Sequence, residues 1–351
     1  MYYSNSIYRE DLQSILDSNL ELKKMRECSI LVTGASGMIG SFIVDTFMFF
    51  NEILNYKINI FAMGRDRVSL EKRFKSHCKN PYFHILQQDI NSKLVYAYCF
   101  DFIIHAASNA YPKVFSIDPV GTIMGNVLGT YNLLEYARQR GIKRFLFISS
   151  GEVYGQGTKD ISEFVESYSG YVDSTNPRSC YPNAKRTAET LCISYTKQYN
   201  IDTVIARPCH TYGPTATLKD SRVSSQFIRN VIDGKDIVMK SQGLQLRSYC
   251  YVPDCVSGIL TILLNGQTGN AYNIANKDCI VTIRKMAENI ADISDRKIVF
   301  EIPNEVEKSG YNPVIKSILN ANKLERLGWK AKYNMNNGLE RTINILNQIR
   351  K

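Results

Sequence analysis

The sequence is short of the features that would place it outside the cell, in a membrane or around a metal. Its nine cysteines are scattered, with no Cys-x-x-Cys pair, and none of its four histidines stands at metal-ligand spacing. That pattern argues against disulfides and zinc and for reduced thiols in a cytoplasmic protein. No apolar run approaches the roughly 20 residues a membrane-spanning helix needs. Residues 1–27 are too polar for a secretory leader, carrying Arg9, Glu10, Asp11 and Asp17. There is no internal repeat and no low-complexity segment. Net charge is +10, yet no basic stretch is interleaved with aromatics. Nucleic acid is therefore not the expected partner, and an anionic small substrate accounts for the excess. What remains is ordinary globular composition, 44% hydrophobic and 22% charged over 351 residues.

Hydrophobic patterning predicts strands at 29–33, 58–63, 83–87, 102–107, 144–149 and 202–207. Helical patterns fall between them at 39–53, 66–77, 122–140 and 181–199. Such alternation means an α/β fold, a doubly wound parallel sheet covered on both faces. Past residue 208 the alternation fades into helices near 221–233, 254–265, 283–292 and 336–349. The expected organisation is an N-terminal helical extension over 1–27 (Leu12, Ile15, Leu16, Leu20) and a dinucleotide-binding domain over 28–207. A smaller substrate lobe follows over 208–351, with about 245–275 returning to the first domain. The polar segment 156–180 reads as a loop near the site.

The most informative stretch is Ile30-Leu31-Val32-Thr33-Gly34-Ala35-Ser36-Gly37-Met38-Ile39-Gly40. An apolar strand enters three glycines spaced G-x-x-G-x-x-G, and an apolar helix follows. Gly34 permits the tight turn, Gly37 a close approach of backbone to a pyrophosphate, and Gly40 close packing of helix on strand. The helix start, with Ser36, Met38 and Ile39, then holds the phosphates. At the next strand end stand Arg65 and Asp66. An acid there accepts from the ribose of NAD, whereas Arg65 suits the 2′-phosphate of NADP; NAD is favoured and NADP stays open.

Tyr181-Pro182-Asn183-Ala184-Lys185 turns a binding site into an enzyme. Spacing i, i+4 on a helix puts phenol and ammonium on one face. A neighbouring ammonium favours the phenolate, so the expectation is a lowered tyrosine pKa and a general base for an alcohol. Upstream, Phe145-Leu146-Phe147-Ile148-Ser149-Ser150 reads as a buried strand ending in hydroxyls.

Taken together, these motifs resemble the extended short-chain dehydrogenase/reductases, the nucleotide-sugar epimerase/dehydratase family, over roughly residues 28–345. The resemblance includes Asp89-Ile90, His105-Ala106-Ala107-Ser108, Asn126-Val127-Leu128-Gly129-Thr130, Gly151-Glu152-Val153-Tyr154-Gly155, Tyr212-Gly213-Pro214, Arg247-Ser248-Tyr249 and the tail Lys323 to Trp329. It implies a Rossmann fold and a nucleotide-diphosphate sugar as partner. Asp89 and Ile90 would lie by the adenine, and Ala106, Ala107, Ser108, Asn126, Ser149 and Pro208 along the cofactor. It also implies a homodimer, through helices 122–140 (Leu128, Tyr131, Leu134) and 181–199 (Leu191, Tyr195).

Reaction type turns on Glu152. Dehydratases of the family carry Asp-Glu here, and this chain has Gly151 in place of the acid. UDP-glucuronate decarboxylases keep the glutamate without that aspartate. Ala107-Ser108-Asn109-Ala110-Tyr111-Pro112 and Cys180-Tyr181 with Lys185-Arg186 also lean towards them. The resemblance makes Ser150, Glu152, Tyr181 and Lys185 catalytic. It makes Ser108, Lys113, His210, Arg222 and Arg247 substrate contacts beside Glu152. Gly151, His210, Lys113 and Phe115 depart from the decarboxylase pattern. Decarboxylation is the first expectation. A 4-epimerase, a 4,6-dehydratase, a 4-reductase or dehydrogenase, and a non-enzymatic NAD(P) sensor are the alternatives.

Overall fold

The computed structural model describes residues 1–18, 20–158, 160–303 and 314–350. Residues 304–313 of the expected substrate lobe lie outside the described residues. The apolar runs form β1 (Ser29–Thr33), β2 (Asn59–Gly64), β3 (Phe83–Gln87), β4 (Phe102–His105), β5 (Arg144–Ile148) and β6 (Thr203–Pro208). Short β7 (His210–Tyr212), β8 (Ile237–Met239), β9 (Leu246–Tyr251), β10 (Asn270–Ile274), β11 (Ile280–Thr282), β12 (Ile298–Phe300) and β13 (Lys316–Ser317) follow. The main sheet is parallel, in the order β10-β6-β5-β4-β1-β2-β3. Its order reverses between β1 and β4, which opens a crevice at their carboxyl ends, where such sheets hold ligands.

Helices α1 (Ser6–Leu16), α2 (Met38–Leu54), α3 (Arg67–Arg73), α4 (Pro112–Ile117), α5 (Pro119–Arg140) and α6 (Cys180–Tyr199) lie in or before the parallel half. Helices α7 (Val223–Ile232), α8 (Val252–Asn265), α9 (Ile283–Ser294), α10 (Asn322–Glu325) and α11 (Met335–Arg350) follow. Apolar α2 and α8 pack on one another on one face of the sheet. On the other face, α5 and α6 pair along their length. Leu134 and Tyr195 are buried there, and the Tyr195 hydroxyl donates to Glu135 at 2.6 Å. Tyr131 faces outward as expected, together with Val120, Ile123, Met124, Ile193 and Tyr199.

The N-terminal helix is not an appendage set ahead of the fold. Tyr8, Leu12 and Ile15 are buried, and α1 packs on α2, α8 and α11. The Tyr8 hydroxyl donates to buried Asp45 at 2.6 Å, which also receives Arg73 at 2.5 Å and His77 at 2.8 Å. Asp11 receives the Tyr251 hydroxyl at 2.6 Å and Arg341 at 2.7 Å. Leu12 and Ile15 supplied the helical signal; the polar anchors carried none.

Candidate active site

The turn between β1 and α2 requires glycine by geometry. Gly34 has φ +63°, and a Cβ on it would lie 2.6 Å from Ala107 Cα. A Cβ on Gly40 would lie 2.4 Å from the Gly34 oxygen. The turn therefore sits flush against the end of β4, and the open N–H groups starting α2 face the crevice. A cavity of about 450 Å³ runs from this turn past Ala106 and Ser108 to the ends of β5 and β6. Gly37, Met38 and Ile39 line its first part, with Ser36 in the turn itself. Ser149, Ser150, Glu152, Tyr181, Lys185 and Pro208 line the middle, and His210 and Arg222 the far wall.

Several expected contacts stand off that wall. Asn126 is buried behind Ser108, whose hydroxyl donates to it at 3.0 Å. Ile90 packs against Gly129, and Asp89 caps the turn after β3 by accepting from Asn91. Asp66 spends its carboxylate on the start of α3, accepting from Val68, Ser69 and the Ser69 hydroxyl. Exposed Arg65 follows the end of β2, where Met63 accepts from Ala35 of the glycine turn. Lys113 is exposed on the first turn of α4. Arg247 is buried and donates to the carbonyls of Leu246, Val314 and Ile315, and Val314 lines the cavity.

At the centre, Ser150 caps the turn Gly151–Tyr154 by accepting from Glu152 N–H at 3.2 Å. The Lys185 ammonium donates to Ile148 O at 2.7 Å and lies 4.5 Å over the Phe147 ring. Burial drives Lys185 down to about 7. Tyr181 goes the opposite way from the expectation. Burial first, then the Glu152 charge, push the phenol up to about 12, against lowering by Ser150, Arg222 and Arg178. Desolvation of the buried phenolate outweighs the neighbouring cations. His210 is held neutral, pushed down to about 3 by burial and by Arg247 and Arg222. A side chain on Gly151 would meet Leu319 at 3.0 Å, so an acid there would press on an apolar group.

Residues 30–275 match the model of the NAD dependent epimerase/dehydratase family. The chain belongs to that family. UDP-glucuronic acid decarboxylase 6 of Arabidopsis thaliana is 35% identical over 310 residues, 88% of this chain and 86% of that protein. UDP-glucuronic acid decarboxylase 1 of Xenopus tropicalis is 31% identical over 316 residues, 90% of this chain and 71% of that protein. The UDP-glucuronic acid 4-epimerase of Bacillus cereus, solved with UDP-glucuronic acid and NAD, superposes with a TM-score of 0.77 at 22% identity. That superposition covers 92% of this chain and 99% of the epimerase, and at that identity it speaks for the fold alone.

The residues present fit the family's cofactor. Gly34, Gly37, Met38 and Ile39 line the cavity where α2 begins, and buried Ser149 presents a hydroxyl with no partner among the described residues.

Sequence reasoning missed Arg178 and treated Phe115 only as a departure. Arg178 forms a two-pronged pair with Glu152 at 3.1 and 3.2 Å. Its guanidinium lies 4.7 Å over the Phe115 ring, which stacks on Tyr181 at 4.7 Å and 20°. The available signal was position: Arg178 stands three residues before Tyr181, at the mouth of the same helix.

Proposed function

We propose that this family member binds a nucleotide-diphosphate sugar, oxidises it at C4 and removes the C5 carboxylate of a UDP-glucuronate-type substrate. The observation that carries the reading is Glu152 on the cavity wall beside Tyr181, with no acid at Gly151, where a side chain would come within 3.0 Å of Leu319. The names of the decarboxylase relatives support it.

Tyr181 takes the C4 hydroxyl proton, and Ser150 orients that hydroxyl. Lys185 supplies positive charge behind the phenol. NAD, held at the glycine turn by Gly34, Gly37, Met38 and Ile39, would supply a reversible hydride acceptor for C4. A ketone at C4 makes the C5 carboxylate that of a β-keto acid, which loses carbon dioxide readily. Glu152 then assists reprotonation of C5, with a water as the proton source. Arg222, held by Asp220 at 2.6 Å, and Arg247, which has no carboxylate partner among the described residues, bring cationic charge to the diphosphate end.

NAD is the proposed cofactor, since reaction by loan and return of one hydride needs no net reductant. Exposed Arg65 keeps NADP in view. The outward apolar residues of α5 and α6 support a homodimer through these helices. Nine unpaired cysteines support a cytosolic setting. No helix among the described residues is long and apolar enough to cross a membrane.

The test is purified protein against a panel of nucleotide sugars, with products read by mass. Loss of carbon dioxide from UDP-glucuronate supports the proposal. Loss of water points to a dehydratase, and an unchanged mass with an inverted hydroxyl points to an epimerase.

A further inference from the structure

Arg178 and Arg222 line the cavity, Arg247 lies behind it on the carbonyl of cavity-lining Val314, and the three are held in different ways. Arg222 is neutralised by Asp220. Arg247 is held by main-chain carbonyls. Arg178 alone is tied to a cavity-lining carboxylate, by two parallel N–H···O bonds to Glu152. Both partners are largely shielded, with side chains 14% and 24% exposed. A two-pronged pair of this kind fixes the plane and direction of the carboxylate as well as its charge. The same guanidinium lies over Phe115, and Phe115 lies over Tyr181, so three flat groups are stacked in series. Phe115, Cys180 and Tyr181 form a separate buried apolar cluster, so the stack does not share the main core. Arg178 Nε is buried with no partner among the described residues. The ion pair and the stack therefore hold the side chain, and its donors are not used up on the backbone as those of Arg247 are.

We propose that Arg178 is a positioning residue of the reaction: it holds Glu152 turned to the reacting sugar and, through Phe115, fixes the ring plane of Tyr181. This rests on the reading of the site given above. Two groups that must act at neighbouring sugar carbons, C4 and C5, are thereby held in one frame. Glu152 and Tyr181 lie on different elements, the turn after β5 and the start of α6. No hydrogen bond joins their side chains directly among the described residues. Arg178 supplies the missing connection.

The charged groups acting on the phenol are Glu152, Arg222 and Arg178, with Lys185 one turn along α6. That set gives a test with a definite sign. Full-length protein is labelled throughout with 3-fluorotyrosine, and the fluorine signal missing in Tyr181→Phe is assigned to that phenol and titrated. In Arg178→Met the midpoint moves up, because a cation is lost and Glu152 is left unpaired. In Arg178→Lys it stays near the parent, and in Arg178→Met/Glu152→Gln it returns towards the parent. Mere loosening of the fold would admit water and move it down. A downward or absent shift in Arg178→Met overturns the proposal.

A second measurement uses UDP-glucuronate. Arg178→Lys keeps the charge and loses the fork, so kcat falls about 10²-fold with KM little changed. The loss does not add to that of Glu152→Ala, as for two residues acting as one unit. Additive losses, or a rise in KM alone, would overturn the positioning role. If the parent leaves UDP-glucuronate untouched, the decarboxylase reading fails, while the titration still decides the part played by Arg178.

Discussion

The Lys185 ammonium donates to the main-chain oxygen of Ile148 at 2.7 Å, while the centre of the Tyr181 ring lies 5.8 Å from it. The lysine is thus anchored to the end of β5 and makes no hydrogen bond to the phenol among the described residues. Burial works against both ionised forms, lowering the lysine to about 7 and raising the tyrosine to about 12. Function here is set against stability.

Replacing Lys185 with methionine should expose that conflict. A lysine whose pKa falls from 10.5 to about 7 on folding destabilises the fold fully below pH 7. The cost fades as pH rises from 7 towards 10.5. Relative to the parent, Lys185→Met should therefore melt higher at pH 6 than at pH 10. Thermal unfolding at the two values checks it; an equal offset at both would show that the charge carries no such cost.

Tyr181→Phe should stop turnover while leaving a folded, cofactor-loaded protein. Loss of a general base costs about 10²–10⁴-fold in rate. Circular dichroism and mass analysis of released cofactor separate this from unfolding. Near-parental activity on the true substrate would remove Tyr181 from the chemistry.

Glu152→Ala should lower kcat far more than it raises KM, the signature of a contact made mainly in the transition state. In heavy water the parent should place one deuterium at C5 of its product, since that carbon exchanges a carboxylate for a proton. An epimerase acting only at C4 would place none.

The outward face of α5 and α6 should be covered by a second copy of the chain. Met124→Glu would put a charge in that contact and shift about 80 kDa, twice the 39.9 kDa chain, towards monomer in light scattering. A parent that is already monomeric at micromolar concentration would contradict the assembly.

The first six strands and the longer helices were legible because each combines an apolar run with a local punctuation signal, such as Gly34 after β1. Strand β10 was only loosely placed, since Asn270–Ile274 joins the main sheet beside β6 from far along the chain. The short pairings of β7, β11 and β13 around β9 depend on tertiary contact and leave little local pattern. Within the site, Ser150, Tyr181 and Lys185 were readable from spacing. Arg178 was not, because its role comes from Glu152 and Phe115, which lie 26 and 63 residues before it in the sequence. The sign of the Tyr181 shift was misjudged for a related reason: sequence shows the neighbouring lysine and hides the desolvation.

The bonds made by Asp11 tie α1 to residues far along the chain. Its carboxylate, buried and raised to about 6 by desolvation, is satisfied by Tyr251 and Arg341, which lie hundreds of residues later. Tyr8, one turn earlier, finds Asp45 and Arg73 much nearer in the sequence. Helix α1 is therefore held from two distant parts of the sequence, by Asp45 and Arg73 on one side and by Tyr251 and Arg341 on the other. A chain cut back to before α11 should show protease cleavage within α1 that the 351-residue chain resists.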